Sequence, residues 1–199
     1  MKRTAQGKDK KFSLAEIYLL ENWTDACRLE EGMKSARRNY AHGIEQAIRQ
    51  RPWFGKDFQV VFTANGNMGF GRKGWYPGTG TPPSKFYPGF WLNDLLLDKL
   101  LTEETPPISA GIWLAPLKKV SRRYSSQRKV VLETASSAFK RLGVDCVRKD
   151  DEIWYNILTN RCEIRRMLRE ADGNEFLALV VKHADQLAEL IPALDNALR

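Results

Sequence analysis

Cysteine, histidine and long apolar runs are scarce in this sequence, and each shortage removes a class of protein. The 199 residues hold three cysteines, Cys27, Cys146 and Cys162, none of them in a Cys-x-x-Cys pair. That excludes a disulfide scaffold and argues against a zinc ribbon. The two histidines, His42 and His183, show no His-x-His, His-Glu-x-x-His or Cys–His spacing, so no metal ion and no cofactor is expected. No apolar run approaches the roughly 18 residues a membrane span needs. The opening MKRTAQGKDKK is basic, but Glu16 and Glu21 interrupt the apolar stretch after it and no small-residue cleavage site follows. A secretory leader is therefore not expected, and with unpaired cysteines the expected setting is cytoplasmic.

What is present is an ordinary globular complement with a basic excess. Apolar residues make up 43% and charged residues 28%, enough for a packed core and against disorder of the whole chain. The net charge is +8, which favours a polyanionic partner, DNA or RNA, because Lys and Arg that neutralise phosphates release counterions. The excess lies at the two ends: residues 57–117 are close to neutral.

Residues 1–12 read as a flexible basic arm. Ser13 with Glu16 fits a capping box. From there a three–four alternation runs through Phe12, Ala15, Leu19, Asn22, Ala26, Leu29, Met33, Ala36, Tyr40, Gly43 and Ala47. This predicts a helical segment over 13–51 lying along another helix, either one rod or an αα-hairpin bent near Glu31-Gly32. Residues 52–160 read as a mixed core. FQVVFTA, Asn65-Gly66 and NMGFGRKGW predict a β-hairpin over 58–75. WLNDLLLDKLL (91–101) has its leucines at helical spacing, GIWLAPL (111–117) reads as a short buried strand, and Ser125–Leu142 as an amphipathic helix stopped by Gly143. Residues 144–149 and 152–159 predict two strands joined through Asp150-Asp151. Residues 161–199 read as helices. The stripe Leu177, Val180, Ala184, Leu187, Ile191, Leu194 and Leu198 is regular, and Pro192 splits it near Leu190. The expected fold is α+β: one domain over 13–199, with a mostly antiparallel sheet of about five strands and long amphipathic terminal helices that pack on each other or across a homodimer.

Four constellations are candidates for function. Lys118, Lys119, Arg122, Arg123, Arg128 and Lys129 put six positive charges in twelve residues, with hydroxyls suited to phosphate oxygens and Tyr124 placed to stack on a base. Arg72 and Lys73 near the hairpin would add phosphate contacts. The 75–91 stretch, with Trp75, Tyr76, Phe86, Tyr87, Phe90 and Trp91 among four prolines and three glycines, suggests a stacking platform or a peptide groove. The stripe residues Leu187 and Ile191 are candidates for a partner surface. Asp145, Asp150, Asp151 and Glu152 gather acids that a metal-dependent nuclease would need, but they also fit a polar turn. The glycines at 66, 69, 71 and 74 lack a following helix and a Gly-Lys-Ser/Thr, so they read as hairpin and not as a phosphate loop. The favoured reading is a non-catalytic nucleic-acid-binding protein. The alternatives are a protein-interaction module, inhibitor or adaptor subunit and, less favoured, a metal-dependent nuclease.

Overall fold

The computed structural model of the chain describes residues 13–63, 66–78, 88–93, 95, 100, 108–158, 160–169 and 174–198. The basic arm at 1–12, Phe86 and Tyr87 lie outside them. Contacts divide the chain into two compact units, Met1–Asn39 and Tyr40–Arg199.

The described residues of the first unit are mostly helical. Helix α1 (Leu14–Glu21) and helix α2 (Trp23–Arg49) are separated only by Asn22. The expected bend at Glu31-Gly32 does not form. The interruption falls at Asn22, whose side-chain amide donates to the Tyr18 carbonyl at 2.9 Å, a local bond that competes with regular helix geometry. The helical ladder itself continues, since the Asn22 N–H still reaches the Tyr18 carbonyl and the Ala26 N–H the Asn22 carbonyl.

The second unit carries a six-stranded antiparallel sheet and helices, so the chain is α+β. The strands are β1 (Phe58–Phe62), β2 (Met68–Arg72), β3 (Gly89–Asn93), β4 (Ile108–Trp113), β5 (Cys146–Arg148) and β6 (Glu152–Leu158), in the order β1-β2-β3-β4-β6-β5. The hairpin β1–β2 pairs Phe58 with Arg72 and Phe62 with Met68, and Gly66 adopts the positive φ of 79° its turn requires. β3 is the strand the leucine spacing concealed. Residues 91–93 of the expected 91–101 helix are strand, and β3 has Phe90 and Leu92 buried on one face and Trp91 on the other. The buried strand expected at 111–117 begins earlier, at Ile108, and ends at Trp113 because Pro116 takes part in a tight helical turn over Ala115–Leu117.

Helices α3 (Tyr124–Arg141), α4 (Arg161–Arg169), α5 (Asn174–Ala188) and α6 (Ile191–Leu198) lie among the described residues of the second unit. The break between α5 and α6 falls where Pro192 demands it, at the second residue of α6. α3 packs on β5, β6 and α6, while α5 packs on β4 and α4. The sheet turns Phe58, Val60, Met68, Phe70, Phe90, Leu92, Ala110, Ile112, Ile153 and Tyr155 into that core, every one below a tenth exposed. The last turns of α2 belong to it as well: Ile44 and Ile48 are buried, and Tyr40 lies 6.1 Å from the Phe176 ring. The expected packing of the N-terminal seam against the C-terminal helices is present at Tyr40, against Phe176. Leu19, Leu29 and Met33 are exposed.

Polar clamps fix the ends of this core. Both carboxylate oxygens of Asp185 accept from Arg51, at 2.9 and 2.8 Å, and one also accepts from the Trp53 indole at 2.7 Å. His183 is buried, with Nδ1 3.0 Å from the Tyr155 hydroxyl. Burial, with help from the neighbouring Lys182 charge, pushes its imidazole down to about 4.

Candidate nucleic-acid interface

Alternation along the antiparallel strands decides what the other face of the sheet presents. Opposite the core lie Gln59, Val61, Gly69, Gly71, Trp91, Gly111, Trp113, Trp154 and Val147, by the strand register. Trp91 and Trp154 flank Gly111 in register, their rings 6.4 Å apart and tilted at 44°. Glycine is needed between them, because a Cβ at 111 would meet the Trp154 Cβ at 2.7 Å. At the end of β4, Trp113 stands half-buried between Gly89 and Glu152.

Two depressions meet at this tryptophan. One, of about 240 Å³, is lined by Tyr76, Trp113, Ala115, Pro116, Lys118, Lys119 and Val120. The other, of about 430 Å³, is lined by Trp113, Ala115, Lys149, Asp150, Asp151 and Glu152. Tyr76 from the aromatic segment and Lys118 and Lys119 from the basic segment therefore share one wall-to-wall groove. Sequence reading kept these two segments as separate candidates. It also missed Trp113, although alternation along β4 would have set Trp113 on the face opposite Ile112.

The basic segment is held by the β5–β6 turn. The Lys149 N–H donates to the Glu152 carbonyl at 2.9 Å, closing a tight turn through Asp150-Asp151. Asp151 is its hub: its carboxylate accepts from the Tyr124 hydroxyl, lies 3.7 Å from the Lys118 ammonium, and its carbonyl accepts from the Leu114 N–H at 2.8 Å. Arg128 donates to the Asp150 carbonyl at 3.2 Å. Ser121 and Gln127 bond each other at 2.6 Å, and the Ser121 hydroxyl also accepts the Arg123 N–H. Tyr124 is thus a strut, with its hydroxyl engaged and the Arg128 guanidinium 6.0 Å from its ring, and not the free base-stacking ring the sequence suggested. Among the described residues, Asp150, Asp151 and Glu152 form this turn, and no group of three or more His, Cys, Asp or Glu side chains is arranged to hold a metal ion.

Lys118, Lys119, Arg122, Arg123 and Lys129 are all exposed. Among the described residues, Lys119, Arg122 and Lys129 have no ion-pair partner. Lys149 lies 5.0 Å over the Trp154 ring, on the same side of the sheet. The cluster also sits at the start of the 18-residue α3, where unpaired backbone N–H groups add positive potential.

Other sequence candidates fall elsewhere. Arg72 is an internal clamp, 2.7 Å from Asp57, 3.4 Å from Asp195 and 4.8 Å over the Phe58 ring, so its charge is neutralised by two acids before any phosphate arrives. Lys73 is exposed, and its carbonyl accepts the Tyr76 N–H at 3.1 Å. Trp75 is fully buried, and its indole donates to Asp195 at 2.8 Å. It pins its segment to the core. Leu187 is fully buried and Ile191 nearly so. Their stripe fills the core of the second unit and offers no surface to a partner.

No protein-family model matches the chain, and no curated protein and no solved structure matches it either. Among the described residues no helix is long and apolar enough to cross a membrane.

Proposed function

We propose that this protein binds nucleic acid without catalysis, through the 118–129 segment and the groove beside it. The observation that carries the reading is the joining of exposed cations to half-buried aromatic surface. Lys118 and Lys119 line the same groove as Tyr76 and Trp113, and Arg122, Arg123 and Lys129 extend the positive surface toward the start of α3. Cations of this kind hold phosphates in any sequence context. Aromatic faces beside them take unstacked bases, each worth about 1–3 kcal/mol. A groove of about 240 Å³ admits a base and not a duplex, so single strands are the favoured substrate.

The test is fluorescence anisotropy with labelled single- and double-stranded DNA and RNA across a salt series. The expected result is tighter binding to a single strand, with log K falling by about 0.7 per neutralised phosphate for each decade of salt. The probe stays intact with or without magnesium. Absence of binding at low salt would overturn the reading.

A second reading, a protein-interaction module, is favoured by a different observation. Leu14, Ile17, Tyr18, Leu19, Leu20, Trp23, Leu29 and Met33, all in the first unit, are exposed.

A further inference from the structure

Three side chains form a row across the end of the sheet, on the face opposite the core. Trp113 of β4 pairs with Glu152 of β6. Lys149 stands opposite Glu152 across the β5–β6 turn, its N–H on the Glu152 carbonyl at 2.9 Å. Ile112 and Ile153 point into the core, so their neighbours Trp113 and Glu152 point away from it. Lys149 is on the same side, its ammonium 5.0 Å over the Trp154 ring. All three line the depression of about 430 Å³.

Opposite charges facing each other across a strand pair ordinarily join. These two stay apart. Among the described residues, neither the Glu152 carboxylate nor the Lys149 ammonium has an ion-pair partner. Asp151, on the same wall, is already taken by Tyr124 and Lys118. Glu152 is half-buried on a strand, so its backbone is fixed where a turn-tip acid would move. A carboxylate in that position repels phosphate and calls for donors. The ammonium beside it calls for an acceptor.

The bases differ in what their Watson–Crick edges offer. Guanine presents two adjacent donors, N1–H and the N2 amino group, beside the O6 acceptor. Adenine and cytosine each present one amino donor beside a ring-nitrogen acceptor. Thymine and uracil present one N–H between two carbonyls. Guanine alone can put two donors on the two oxygens of one carboxylate and turn O6 toward a lysine, which is a common partner of guanine O6 and N7. In a single strand that edge is not consumed by pairing. We infer that Glu152 and Lys149 form a guanine-selecting subsite, with the base lying against Trp113. The inference rests on the nucleic-acid reading. Lys118 and Lys119 hold the neighbouring phosphates from the adjoining groove, which shares Trp113 and Ala115 with this depression.

The experiment is fluorescence anisotropy with a labelled short oligothymidine and with the same strand carrying one central guanine, hypoxanthine, adenine or cytosine. Unlabelled guanosine monophosphate is tested as a competitor and, by calorimetry, alone. The expected result is that the guanine strand binds about tenfold tighter than plain oligothymidine. Hypoxanthine, which lacks the 2-amino donor, falls between them, and adenine and cytosine give no gain. Glu152→Gln keeps the side-chain shape but replaces one acceptor with a donor, and it brings the guanine-to-thymine affinity ratio to about one. Thermal melting verifies that this variant is folded. A natural chain that binds every strand alike overturns the inference and leaves the nucleic-acid reading standing. A guanine preference that survives Glu152→Gln overturns its assignment to this depression. Guanosine monophosphate bound where no strand is bound supports the guanine subsite and overturns the strand reading. A chain that binds none of the probes overturns both.

Discussion

The two ends of this chain carry the same apolar alternation and put it to opposite uses. In α5 and α6, Val180, Ala184, Leu187, Ile191, Leu194 and Leu198 are buried in the core of the second unit. In α1 and the first part of α2, Leu19, Leu29 and Met33 follow an equally regular repeat and stay exposed. Periodicity names the face of a helix that wants company. It does not name the company. What separates the two ends is the rest of the sequence: the C-terminal helices share a unit with a sheet whose inner face is aromatic and aliphatic, and polar clamps such as Trp75–Asp195 and Arg51–Asp185 fix them there. The N-terminal stretch instead splits its charge by sign along its length.

The largest expected effect sharpens this contrast. Leu187→Asp places a carboxylate in a fully buried site and should cost about 4 kcal/mol or more, read as a lowered midpoint in urea denaturation. Leu29→Asp should leave the same midpoint unchanged, because that side chain is 69% exposed. Equal losses from the two would erase the distinction between the ends.

The next effect comes from pH. His183 is held at about 4 by burial against about 6.5 in an unfolded chain. The unfolded state therefore binds the proton first. The stability gained from keeping the ring neutral is complete above about pH 6.5. It is lost as pH falls toward 4, by about 1.4 kcal/mol for each pH unit at most. His183→Gln should flatten the acid limb of a stability–pH curve.

Smaller still is Tyr155→Phe, which removes one buried hydrogen-bonding hydroxyl from His183 and should cost about 1 kcal/mol. The smallest is Gly32→Ala. It replaces a helical glycine with open space around it and should raise helix stability by about 1 kcal/mol or less. Circular dichroism of the full chain would register the gain as added helicity.

Much of the fold was legible because local chemistry and tertiary outcome agree. Asn65-Gly66 marked the first hairpin, Asp150-Asp151 the last, and Pro192 the break between α5 and α6. Where they disagreed, the sequence misled. Leu92, Leu95 and Leu100 sit at helical spacing, yet Leu92 belongs to a strand whose partners β2 and β4 lie elsewhere in the chain. Pairing is non-local, and no window of residues contains it. The candidate site was legible as charge but not as shape. The run from Lys118 to Lys129 was plain. That Arg72 would be neutralised by Asp57 and Asp195, or that Tyr76 and Trp113 would face Lys118 and Lys119 across a groove, depends on contacts distant in sequence.

The most direct test of the nucleic-acid reading compares salt slopes. Single-stranded oligonucleotide binding would be measured for the natural chain, for Lys118, Lys119, Arg122 and Arg123 all replaced by Ala, and for Arg72→Ala. The expected result is a slope reduced by about three units in the fourfold variant, at about 0.7 per phosphate, and unchanged in Arg72→Ala, whose charge is spent inside the fold. A fourfold variant that binds with the natural slope would contradict the proposed role of the 118–129 segment.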